Sequence, residues 1–152
     1  MPNINGKHAR KQRLMALHLK YRRVRFYDPG ICTYCGDFGD EWDHSPSLTE
    51  AYTLDLDRFR DSGGEMLLVP SCAKCNRWLG SQPLHTVADR KLYCATKWRE
   101  LFRREFAMPK WDKDELEELG PMLKTYIATS AKTADWVRER IAFCTMDLPE
   151  LD

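Results

Sequence analysis

The run Leu68-Val69-Pro70-Ser71-Cys72-Ala73-Lys74-Cys75-Asn76-Arg77 joins a short apolar stretch to a pair of cysteines two residues apart, and it answers an earlier pair, Cys32-Thr33-Tyr34-Cys35. Each Cys-x-x-Cys can present two thiolates from one tight turn. Four thiolates in a tetrahedral array satisfy Zn²⁺ completely and leave no open coordination position, so the expected centre is structural. Two other uses of paired cysteines compete with this reading: disulfides, which need an oxidising compartment, and a redox Cys-x-x-Cys, which belongs beside a βαβ pattern. Neither signal is present. The first residues, Met1-Pro2-Asn3-Ile4-Asn5-Gly6-Lys7, lack the apolar core and small-residue cleavage site of a secretory leader, so a reducing, cytoplasmic setting is expected. Zinc would tie the segment near residue 33 to that near residue 74, and its binding is worth about 10–16 kcal/mol in small zinc domains. Cys94 and Cys144 stand alone and are expected as buried helix residues.

Outward from the knuckles, 152 residues suffice for one domain with a real core. Nothing approaches the length of apolar run that crosses a bilayer, and no membrane association is expected. The net charge of +1 conceals an asymmetry. Residues 1–27 hold eight Lys and Arg with no Asp or Glu, whereas residues from 112 onward hold ten acidic against five basic residues. A basic arm beside an acidic tail points to a polyanion at one end and a different contact at the other. Leu14, Leu17, Tyr21 and Val24 give residues 7–27 helical spacing up to the Pro29-Gly30 break. Short strands and loops are expected over 31–83, with a helical turn around 54–59. The apolar stripe Leu84, Ala88, Leu92, Ala95, Trp98, Phe102 and Phe106 predicts the longest helix, and two more are predicted over 114–126 and 133–143.

Between and after the knuckles lie Asp43-His44-Ser45-Pro46, Gly63-Gly64, Asn76 directly after Cys75, and His85. With the two cysteine pairs, these motifs resemble the HNH (ββα-metal, His-Me finger) endonuclease family over about residues 31–90. The resemblance implies an α+β fold: a small ββα-metal core braced by the four-cysteine zinc site, with flanking N- and C-terminal helices. One domain over 1–152 is expected, divided into a basic helix (1–28), the core (29–108) and acidic helices (109–152). Two departures are visible: Ser45 follows the Asp-His pair where an aliphatic residue is common, and Met66-Leu67 stand where an Asn is common.

The resemblance also implies an activity, metal-dependent hydrolysis of phosphodiester bonds, with DNA the expected polymer. His44 takes the place of the general base, since an imidazole of ordinary pKa can accept a proton from water at neutral pH. Asp43 and His85 match ligands of a catalytic Mg²⁺ or Mn²⁺, which favours hard oxygen donors. Asp89 follows His85 by one helical turn and fits a third ligand, or else a solvated carboxylate or salt-bridge partner. Asn76 matches the residue that orients the base. Lys74 and Arg77 are expected on phosphate beside this site, and Arg10, Arg13, Arg22 and Arg23 along the basic arm. His8 and His18 read as ordinary surface or half-buried residues of that arm. Two alternatives stay open: a non-catalytic zinc-ribbon module that binds nucleic acid or supports assembly, and a docking role for the C-terminal helices toward a larger protein partner.

Overall fold

The computed structural model describes residues 4–151. The chain runs α1 (Ile4–His18), β1 (Arg22–Arg23), β2 (Glu41–Ser45), α2 (Leu48–Thr53), α3 (Leu56–Asp61), β3 (Leu67–Ser71), α4 (Ala73–Leu79), α5 (Val87–Leu101), α6 (Arg103–Ala107), α7 (Lys113–Glu117) and α8 (Pro121–Thr145). It is a mixed α+β fold. The uninterrupted apolar run around residue 68 becomes β3, the central strand, with all five residues buried. A strand covered on both faces has no need to alternate polar with apolar. β1 lies parallel on one side of β3 and β2 antiparallel on the other.

The pleat of β3 separates two apolar clusters. Leu67 and Val69 face the larger one, which gathers the four knuckle cysteines with Leu79, Val87, Ala95, Trp98 and Val137. Leu68 faces the smaller one, with Tyr21, Ala51 and Met66. In register, Asp43 lies opposite Val69 and His44 opposite Leu68. Directly opposed residues of an antiparallel pair share a face, so Asp43 and His44 point to opposite sides of the sheet.

Several helix limits differ from the sequence expectation. The basic helix stops at His18, because the backbone beyond it finds sheet partners: Arg22 N–H donates to the Met66 carbonyl and Val24 N–H to that of Leu68, each at 2.9 Å. Two helices, α2 and α3, fill the region expected to hold a single turn. The longest helix is α8, with 25 residues, rather than α5, with 15. Gly120-Pro121 interrupts the predicted 114–126 helix, and Pro121, at the first turn of α8 where a missing N–H costs nothing, starts a helix that continues through the second predicted segment. α8 packs along α5. Its C-terminal carbonyls, on Phe143 and Met146, accept from the Lys91 ammonium, which also lies 4.4 Å from the Phe143 ring centre. A cation there answers the negative end of the helix dipole.

The sheet and α5 are joined by a buried ion pair. Both oxygens of Asp43 accept from Arg90, at 2.9–3.0 Å, and Tyr34 donates to the same carboxylate. Arg90 is 0% exposed. Burial pushes the Asp43 carboxyl up, opposed by the guanidinium and the phenol. Removing one partner strands the other charge in an apolar layer, so Arg90→Met is expected to cost about 3–5 kcal/mol. Urea unfolding checks this, and an Asp43→Leu/Arg90→Met double variant should recover much of the loss.

Candidate functional site

The first knuckle is a tight hairpin. Cys32 N–H donates to the Asp37 carbonyl and Gly36 N–H to that of Cys32, while Ile31 and Phe38 form a bridge. Gly36 has φ of 74°, and a Cβ there would lie 2.6 Å from the Phe143 ring, so both conformation and space demand glycine. At Gly39 a Cβ would come within 2.9 Å of both the Cys32 and Ser71 backbones, where the two knuckle segments pass. The second knuckle opens α4, with the Cys72 sulfur accepting the Cys75 N–H at 3.4 Å. Thr33 N–H reaches the Pro70 carbonyl at 2.8 Å and brings the two together.

As a result, the four Sγ atoms of Cys32, Cys35, Cys72 and Cys75 all lie within 4.8 Å of one another. Cys35 and Cys72 are 3.7 Å apart. Hydrogen bonds from the other three hold the Cys32 thiol well below its ordinary value. Four free cysteines at this separation, three of them with no exposed surface, fit a structural metal such as zinc. Cys94 and Cys144 are also buried, as expected, and burial pushes the Cys144 thiol up to about 12.

The residues proposed for chemistry are not gathered around a second metal. Asp43 faces α5, with both oxygens engaged by Arg90 and Tyr34. His85 precedes α5, whose N-cap is Thr86, so the helical-face argument joining it to Asp89 does not hold here; Asp89 sits in the first turn, its N–H capped by Thr86. The His85 Nε2 instead lies 3.1 Å from a Glu50 oxygen. His85 borders a cavity of about 560 Å³ that is also lined by Ser45, Leu67, Thr86 and Val87. Among the described residues, the four cysteines are the single group of three or more His, Cys, Asp or Glu placed to share an ion. The expected Mg²⁺ or Mn²⁺ set of Asp43, His85 and Asp89 therefore does not fit this arrangement.

Asn76, on α4, donates to a Glu41 carboxylate oxygen at 2.7 Å, tying that helix to the start of β2 rather than to the backbone near His44. Lys74 lies over Trp98, 4.9 Å from the ring centre, and Arg77 is exposed. Arg10, Arg13, Arg22 and Arg23 are all exposed. Arg13 reaches the Tyr52 hydroxyl and Arg22 reaches Glu65. Arg23 and Arg25 sit 5.2 and 5.0 Å from the Trp42 ring centre, on the face of β2 that also carries His44.

His44 itself is half-buried, and its Nε2 lies 2.8 Å from the Nδ1 of His18. The edge-on Tyr21 ring is 4.8 Å away. His18 is the residue that sequence reasoning passed over. Its position at the end of an amphipathic helix gave no sign of a contact made 26 residues later. No family model, curated protein or solved structure matches this chain.

Two measurements test these centres. Purified protein is expected to hold one tightly bound zinc per chain by elemental analysis, and Cys72→Ser, which keeps an oxygen able to cap α4, should lose it together with much of the folded signal. A folded, zinc-free variant contradicts that assignment. Burial, with His18 and Arg90 adding to it, lowers the His44 pKa from 6.5 to about 4. The unfolded chain then binds more protons between those values, so this residue's contribution to stability is full above about pH 6.5 and is lost as pH falls toward 4. An NMR titration of the His44 ring should show a midpoint near 4; one at or above 6.5 contradicts it.

Proposed function

We propose that this chain is a zinc-braced nuclease of the HNH type, hydrolysing phosphodiester bonds with His44 as the general base and DNA as the expected substrate. The observation that carries the reading is the state and setting of His44. Its imidazole is held neutral by burial, stays partly open to solvent, and shares a sheet face with Trp42 and its two attendant arginines. A neutral imidazole keeps a lone pair that can accept the proton of an attacking water, although the lowered pKa makes it a weaker base than one that titrates near neutral pH. The basic side chains of α1 and β1 would supply phosphate affinity, which fixes register without reading sequence.

Four cysteine thiolates, once zinc is bound, provide cross-linking and no open coordination position, so the structural metal takes no part in the reaction. β2 and β3 pair antiparallel and α4 follows β3, but α2 and α3 stand between the two strands where a ββα unit would have a simple hairpin. No step is assigned to a catalytic Mg²⁺ or Mn²⁺, because the Asp43 oxygens are already spent on Arg90 and Tyr34. That same commitment favours the second reading, a zinc-braced module that binds nucleic acid without cutting it.

Incubation of the purified chain with supercoiled plasmid and with single-stranded DNA and RNA, in Mg²⁺, Mn²⁺ or chelator, separates the two. Cleavage should leave 5′-phosphate and 3′-hydroxyl ends. His44→Ala should lower turnover by about 10²–10⁴-fold, the usual worth of a general base, while binding persists. Tight, salt-dependent binding with no cleavage in any condition would establish the binding module instead.

A further inference from the structure

We infer that His18 is a positioning residue for His44, its Nδ1 fixing the tautomer and ring angle of the candidate base; the inference rests on His44 acting in the proposed reaction. A neutral imidazole has one N–H and one lone pair, and the hydrogen bond made by one nitrogen decides which of them carries the proton. For His44 the contact runs 2.8 Å from Nε2 to the Nδ1 of His18, with the two rings inclined at 57°; with His18 accepting at Nδ1, the His44 Nε2–H donates and the lone pair on His44 Nδ1 is left for the attacking water. Tyr21 stands edge-on at 86° to the His44 ring, and its own hydroxyl is anchored on the Pro46 carbonyl, so ring rotation is opposed from a second direction.

Leu17 is the one buried residue of α1 among those described, and His18 beside it is exposed. The same helix carries Arg10 and Arg13 on its exposed surface. At 1.5 Å per residue, Arg13 lies about 7.5 Å along the axis from His18. One rigid element therefore joins candidate phosphate contacts to the group that aims the base. The basic arm would contribute to the chemical step as well as to affinity.

The test uses the full chain, ¹⁵N-labelled, with the ring nitrogens read by long-range proton–nitrogen correlation and turnover measured on the substrate cleaved by the parent. In the parent, His44 should show the pattern of one fixed tautomer. His18→Leu should shift it to the averaged pattern of a freely exchanging imidazole, and His18→Asn, whose amide can stand near the Nδ1 position, should restore the fixed one. In turnover, His18→Leu should lower kcat about tenfold, the worth of one hydrogen bond, with KM changed by less than about twofold, and His18→Asn should regain most of the loss. An unchanged His44 pattern in folded His18→Leu, or an equal change in the Leu and Asn variants, overturns the inference. The ring-nitrogen pattern is read without turnover. Failure of the nuclease reading, seen as an unimpaired His44→Ala variant, is thus told apart from failure of the contact.

Discussion

Four sulfur atoms converge where the two knuckles, β3 and α4 meet, and the larger apolar cluster is assembled around them. As thiolates they would repel one another strongly in so dry a place; a divalent cation at their centre turns that repulsion into attraction and joins segments that are distant in sequence. The rest of the fold accommodates this junction. Gly36 and Gly39 lack side chains where the knuckles approach Phe143 and each other, and Lys91 ties the end of α8, which carries Phe143, to α5.

The second organising feature is the pleat of β2. Adjacent residues of a strand face opposite ways, so the sheet sends Asp43 toward α5 and His44 toward the side occupied by α1 and Tyr21. Asp43 is consumed in a pair with Arg90 that fixes β2 on α5, a use in which a carboxylate serves architecture. His44 is left on the more open side. The two residues look like one functional pair in sequence and belong to two different environments in space.

Those environments have opposite electrostatic characters. On the α5 side, burial and the fixed guanidinium leave no freedom for a carboxylate to take up a new cation. On the other side lie exposed arginines, an indole and two imidazoles, the groups on which the proposed contact with nucleic acid rests. Lys74 folds its ammonium over the Trp98 ring, a cation–π contact that holds the start of α4 against α5.

The sequence by itself determined the knuckles, the presence of short strands within residues 31–83 and the burial of Cys94 and Cys144, because each rests on local information: ligand spacing, a short apolar run between turn residues, or the apolar character of an unpaired thiol. It also carried the division into a basic start and an acidic end. Helix limits were less legible. Whether residues 19–24 continue a helix or join a sheet depends on the free edge of β3, which local spacing cannot reveal. The partners of Asp43, Asn76, His85 and His44 belonged to the tertiary structure alone. Arg90, Glu41, Glu50 and His18 lie 47, 35, 35 and 26 residues away from them, and a side chain's partner at such distances is set by how elements stack. Chain order records which groups are available, whereas packing decides which of them meet.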